Sequence, residues 1–511
     1  MNRLPQEIYD EIGTLLQGPD FDRPALATVS RQWQAAIEQQ TFRKIWLRST
    51  DLDRFKDIVQ HSRRRYVTEI DYIIVLPLYG DDKRCRFERE DERRVNDDVF
   101  TAALFRLFSL LRSWNVSKDG YIGLCLRDVY SSADHPFLRR ASPSFDAGTV
   151  SQLRRDENHA VADLWGWRFR YSYLRLLHPS QLPTVPVISS LSINSTTRNV
   201  CDRVLVDLTA KLPNIRQASW RLIDWEIRYL GLRRAHRHDL ARAFTEVFPR
   251  SSSLQSLVLR MGSIWLWAPN FSAGTLNLDN SSRDELSSAI RTATGSISTL
   301  KELLIDGPID GSLLWPGPAH ALSEPYWQNL ERLEVEFSGR RPPGGSYFRA
   351  PPPINAPPET EVPPGYGHSK EEDAMSAVSF SGSGHIDRIS SPAAPDNDSL
   401  VPLIDAFGHA CLQMPKLVSA QLTARVPASS AELRAGRFIL GYRFLWGVWY
   451  FSPDTLPRRI EKCMDPAFLE DVDQRRLFWT VRDWRPTTDL RCLLGEIGCE
   501  RYGIQLVERF L

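Results

Sequence analysis

Residues 400–422 read LVPLIDAFGHACLQMPKLVSAQL. Leu400, Leu403, Ile404, Phe407 and Cys411 recur at the three- and four-residue spacing that gathers apolar side chains on one helix face. Met414-Pro415 then stops the helix, because proline has no amide proton to give and its ring crowds the preceding turn. Leu417, Ala420 and Leu422 follow in the template apolar-x-x-apolar-x-apolar, which marks a strand in stacked repeats. A helix, a proline break and a strand thus fit within 23 residues.

The same unit recurs toward the N-terminus. The strand template is met at Phe42/Ile45/Leu47, Val67/Ile70/Tyr72, Tyr121/Leu124/Leu126 and Ile188/Leu191/Ile193. It continues at Ile215/Ala218/Trp220, Leu254/Leu257/Leu259, Leu300/Leu303/Ile305 and Leu330/Leu333/Val335. With 42% apolar residues, about 40 such matches arise by chance, so context decides. That context is a helical stripe ahead of several templates. Phe100 to Trp114 precede Tyr121, Val204 to Leu208 precede Ile215, Leu240 to Phe248 precede Leu254, and Leu286 to Ala293 precede Leu300. Prolines stand at further joints, Leu212-Pro213 and Phe248-Pro249. The expected fold class is α/β: an irregular leucine-rich-repeat-like solenoid over 49–338 and 399–426, with a parallel sheet along one side. An ordinary mixed α/β domain is the alternative reading.

Segment 339–398 differs in kind, with 11 Pro and 7 Gly in 60 residues, and is expected to be a disordered insertion. Within it Pro363-Pro364-Gly365-Tyr366 matches the P-P-x-Y motif read by WW domains, with a plain spacer as the commoner meaning. Residues 131–160 look loop-like. Residues 81–98, with eight acids and six bases, read as a solvated loop leading into a helix near 96–114. Residues 427–511 change pattern. Strands are expected around Phe438–Leu440, Trp449–Phe451 and Leu477–Val481, with a helix from Thr488, together a C-terminal α+β cap.

At the other end, residues 4–17 read LPQEIYDEIGTLLQ. Pro5 suits a helix start and Glu7 favours the positive end of its dipole. Ile8, Ile12, Leu15 and Leu16 make one face apolar, and Gly18-Pro19 ends the helix. Two more short helices are expected over 23–31 and 32–40. Three such helices cannot cover their own apolar faces. Leu4-Pro5-x-Glu7-Ile8, Ile12, Leu15-Leu16, Leu26 and Val29-Ser30-Arg31-Gln32-Trp33 together resemble the F-box family. The resemblance implies an F-box over 1–48 in which Leu4, Pro5, Ile8, Ile12, Leu15 and Leu16 bind the adaptor subunit of a cullin-RING ubiquitin ligase. It implies that Leu26, Val29 and Trp33 form the core of the module. Thr41-Phe42-Arg43, Ser49 to Phe55, Arg63 to Val67 and Trp484-Arg485-Pro486 extend the similarity to a group of fungal F-box proteins whose bodies have no assigned ligand.

Composition narrows the other classes. Lys plus Arg is 64 against 63 for Asp plus Glu, so net charge gives no pull toward nucleic acid or an anionic membrane. The seven cysteines form no C-x-x-C pair, which fits a reducing compartment and neither a zinc nor a disulfide framework. The opening MNRLPQEIYDE predicts no secretory signal, and the most apolar stretch, Phe438 to Phe451, is interrupted by Arg443. A cytoplasmic or nuclear location follows as an expectation. Phosphate-loop, dinucleotide, nucleophile-elbow and zinc-protease motifs are missing, so no catalytic residue, metal or cofactor is expected. His236-Arg237-His238-Asp239 reads as a solvent-facing basic helix, and Trp446, Trp449, Trp479 and Trp484 as core. The function expected is a substrate receptor of an SCF-type ligase, reaching cullin through the adaptor and binding an unknown protein target. An F-box scaffold outside any ligase, an enzyme with an unrecognised motif, and a nucleic-acid binder are the competing classes.

Overall fold

The computed structural model describes residues 4–16, 23–80, 83, 88–134, 168–169, 172–194, 198–223, 230–248, 253–262, 274–278, 281, 283–317, 327–349, 394–428, 443–457, 466–503 and 505–511. The chain opens with helices α1 (Gln6–Leu15), α2 (Arg23–Val29) and α3 (Arg31–Arg43), then strand β1 (Lys44–Arg48). Next come α4 (Leu52–Ile58), α5 (His61–Arg64), β2 (Glu69–Leu76), α6 (Glu90–Arg112), α7 (Val116–Asp119), β3 (Ile122–Ser131) and β4 (Ile188–Ile193). Helix and strand then alternate: α8 (Arg203–Thr209), β5 (Gln217–Ile223), α9 (Leu230–Glu246), β6 (Ser256–Gly262), α10 (Glu285–Gly295), β7 (Glu302–Gly307) and β8 (Arg332–Phe337). The rest comprises β9 (Phe348–Arg349), β10 (Ala394–Pro395), α11 (Asn397–Leu412), β11 (Ser419–Pro427), β12 (Arg443–Phe451), β13 (Arg475–Thr480), α12 (Thr488–Gly495), α13 (Cys499–Tyr502) and β14 (Leu506–Phe510).

The protein is a mixed α/β fold built on one twelve-stranded, mostly parallel sheet. Its order is β1-β2-β3-β4-β5-β6-β7-β8-β11-β12-β13-β14, so its strands follow the order of the sequence, with β9 and β10 paired apart from it. Pairing is parallel from β1 through β11, antiparallel across β12, and parallel again between β13 and β14. The strand templates read from the sequence fall into a single ladder. Their third positions pair in order: Leu47, Tyr72, Leu126, Ile193, Trp220, Leu259, Ile305, Val335 and Leu422. Every one of these side chains is buried.

A one-residue slip would turn each of these side chains to the opposite face, so the shared apolar period fixes the register. The ladder packs beneath the helices in one continuous core. In α10, for example, Asp284 accepts a hydrogen bond from the Ser287 amide and starts the helix, and Leu286, Ile290 and Ala293 are buried. The opposite face of the central strands carries half-exposed residues in strict alternation, as in β7 and β8. Parallel sheets are commonly covered on both faces, so this polar face is a distinguishing feature.

Several expectations need correction. In the region expected as a C-terminal α+β cap, β12, β13 and β14 extend the same sheet, and Val448 and Trp479 continue the buried ladder. The Phe438–Leu440 strand lies outside the described residues. Of the expected disordered insertion 339–398, residues 339–349 and 394–398 are described and carry structure. Tyr347 and Phe348 are buried, the Tyr347 hydroxyl donates to the Ile309 carbonyl at 3.0 Å, and β9 pairs with β10. Pro363, Pro364 and Tyr366 lie outside the described residues.

Residues 88–98 are not a solvated loop. Helix α6 already starts at Glu90, and Glu88, Asn96 and Asp97 are buried. Arg198 pairs with Glu88 at 2.9 Å and with Asp134 at 3.2 Å, which compensates the buried charge. The basic helix is also turned inward. Arg237 is buried and donates through Nε to Asp284 at 2.9 Å, while His238 meets Glu285 at 2.7 Å. Among the described residues no helix is long and apolar enough to cross a membrane, and no group of three or more His, Cys, Asp or Glu is placed to hold a metal ion.

Candidate docking surface

The N-terminal module begins with a helix that has no basic residue. Within α1 stand Glu7, Asp10 and Glu11. Pro5 precedes the first helical residue, one position earlier than the sequence suggested, with φ −56°. Helix α3 is capped by Ser30, whose hydroxyl accepts from the Trp33 amide at 3.3 Å. Both α1 and α2 pack against α3.

Tyr9 is buried and meets Trp33 edge to face at 5.3 Å. Gly13 lets α3 approach closely, for a Cβ there would lie 2.8 Å from Gln40 Nε2. Gln40 also donates to Thr14 Oγ1 at 3.2 Å, and Gln6 donates to the Gln32 carbonyl at 3.1 Å. Ala36 and Ile37 complete the interior. The module joins the sheet through α3, which runs straight into β1. Glu38 pairs with Arg63 at 2.7 Å, and that bond holds the Glu38 carboxyl below the usual carboxylate range. Arg63 also stacks over Phe42 at 5.2 Å.

The apolar residues singled out from the sequence lie mostly outside this interior. Leu4 is 49% exposed, Ile8 39% and Leu15 76%, and Pro5 is exposed beside them. Ile12, Leu16, Leu26 and Trp33 are half-buried. Val29 corrects the expectation of a core residue: it is 65% exposed. It ends α2 immediately before the Ser30 turn, and the tight link to α3 leaves it outside the α1–α3 contact. The interior is instead made by Tyr9 and Gly13, one turn apart on α1. Their signal was a large aromatic and a glycine at four-residue spacing, on a different face from Ile8, Ile12 and Leu15.

Elsewhere the chemistry is muted. Burial pushes the Cys125 thiol up to about 11 and the Cys201 thiol up to about 12, and raises Cys411 as well. The thiolate, which is the nucleophilic form, is therefore disfavoured at all three. Trp446, Trp449 and Trp479 are buried and Trp484 packs on Trp446 at 5.7 Å, so they form core rather than an open cage. The exposed apolar residues of the module are Leu4, Ile8 and Leu15 at α1 and Val29 at the end of α2. No model of a known protein family matches the chain, and no curated protein matches it.

Proposed function

We propose that this protein is an F-box receptor. Helices α1 to α3 dock on the adaptor subunit of a cullin-RING ligase, and the sequentially stacked body, an irregular leucine-rich-repeat-like solenoid, holds a protein target. The single observation that supports the reading most is the exposure of Leu4, Ile8 and Leu15 on a module whose interior is otherwise closed by Tyr9, Gly13, Ala36 and Ile37. An apolar side chain moved from water into an interface contributes about 1.5–3 kcal/mol before ordering costs. A few such anchors placed together are enough for a stable complex.

In this reading the chain supplies proximity, and ubiquitin transfer belongs to other subunits. The test is co-purification of the full chain with the adaptor. Leu4→Ala combined with Pro5→Ala removes exposed anchors without touching the buried residues. It should abolish adaptor recovery while the thermal unfolding of the body stays where it was. Undiminished recovery would contradict the reading. Cullin in the purified complex distinguishes a ligase receptor from a scaffold that uses the adaptor alone.

A further inference from the structure

Helix α1 has two opposite faces with different surroundings. Gln6, Tyr9, Asp10, Gly13 and Thr14 follow at i, i+3, i+4, i+7 and i+8, so they share one side. Ile8 and Leu15 share another, about 200° around the helix from Gln6. The first side rests on α3, and Ile8 and Leu15 are exposed. The angle at which α1 meets α3 therefore sets where the exposed apolar residues stand.

The seam between the two helices is largely polar. In the first turn of α1, Gln6 Nε2 donates to the Gln32 carbonyl at 3.1 Å, and further along Tyr9 meets Trp33. At the last turn the Gln40 amide reaches across from α3. Its Nε2 donates to Thr14 Oγ1 at 3.2 Å and to the Asp10 carbonyl at 3.4 Å. The Thr14 hydroxyl gives its own proton to the Asp10 carbonyl at 2.9 Å, so two acceptors face Gln40 and turn its nitrogen toward α1. That orientation is costly. Gln40 Oε1 is buried and accepts no hydrogen bond among the described residues, and a buried acceptor without a donor destabilises a fold.

Gly13 completes the arrangement. A Cβ there would lie 2.8 Å from Gln40 Nε2 but 3.7 Å from Ala36 Cβ. The first contact is too close and the second is ordinary, so this glycine makes room for the Gln40 amide. Glycine inside a helix is itself unfavourable relative to alanine. Two choices that work against stability, a helical glycine and a half-satisfied amide, thus meet at one contact.

We infer that Gln40 and Gly13 are positioning residues for adaptor docking: the Gln40 amide, seated against Gly13, fixes the pose of α1 and with it the places of Leu4, Ile8 and Leu15. This rests on the receptor reading and deepens it. A helix held in its bound pose before the encounter loses less freedom on binding, which raises affinity without adding a contact.

The test is titration of the full chain with the purified adaptor subunit of a cullin-RING ligase, beside hydrogen–deuterium exchange of the free chain. Gln40→Met keeps the bulk and removes the donor. It should weaken adaptor binding about three- to tenfold, the range of a single hydrogen bond. The α1 amides should stay as protected as in the parent chain, because the helix is displaced and not unfolded. Gly13→Ala should weaken binding similarly, yet add no further loss to Gln40→Ala, where the atom its Cβ would meet is gone. A merely structural contact would move the unfolding midpoint and leave the affinity of the folded chain where it was. Unchanged affinity in Gln40→Met and Gly13→Ala overturns the inference. Lost α1 protection in Gln40→Met overturns the positioning role, and additive losses overturn the coupling of Gly13 to Gln40. An adaptor that binds the parent chain and is indifferent to these variants defeats this inference alone. One that binds no form of the chain defeats the receptor reading and this inference with it.

Discussion

Asp97 shows how a single buried group sets a pH dependence. It lies on α6, is buried, and accepts a hydrogen bond from the Arg175 amide at 2.8 Å. Burial nevertheless dominates and pushes its carboxyl up to about 6, from an unfolded value near 3.8. The folded chain therefore binds the proton more tightly than the unfolded chain. Between about pH 4 and pH 6 the stability it contributes falls as pH rises, and above that window the full penalty is in place. Asp97→Asn keeps an acceptor for Arg175 and removes the charge. It should raise stability at pH 7.5 by about 1–2 kcal/mol and flatten the stability profile between pH 4 and 6, as read by urea unfolding across pH. An unchanged profile would remove Asp97 from the account. The burial of Asp97 was not legible in the sequence. It sits in a charged run, and the groups that bury it lie far along the chain: Arg175 is 78 residues away, and Arg198, which pairs with neighbouring Glu88, is 110 residues from it.

Among the elements, close backbone approach constrains the antiparallel pair β11–β12. Gly447 stands in β12 opposite Thr423 of β11, and a Cβ there would lie 2.4 Å from the Leu422 carbonyl oxygen and 2.9 Å from Thr423 Cα. Neither atom can swing aside, since both belong to the backbone. Gly447→Ala should therefore cost about 2–4 kcal/mol, seen as a lowered denaturant midpoint at unchanged slope. A loss under about 0.5 kcal/mol would mean that the two strands part more easily than their pairing implies. Strands such as β5 and β7 were legible because their inward residues keep one apolar template beneath a helix. The ordered stretch around Tyr347 and Phe348 was not, because its Pro- and Gly-rich composition masks two aromatic residues that pack on Phe337 and Trp446. Composition averages over a window, whereas burial depends on partners brought up from elsewhere.

For the whole molecule, the sheet orders its strands as the sequence does, so the body and the module proposed to meet the adaptor need share no residues. The three-helix module was legible from Leu4 to Trp33 as a pattern of apolar positions. Which of those positions face outward was only half legible. Val29 was expected inside and stands exposed, while Tyr9 was passed over and holds the interior. The proposal stands on an open apolar face of α1 that another polypeptide covers. The decisive experiment is hydrogen–deuterium exchange on the full chain, with and without a saturating amount of the purified adaptor subunit. Added protection should be confined to residues 4–43, with the amides of β4 to β8 unchanged. No added protection in α1 and α2, or protection that falls on the sheet instead, would contradict it.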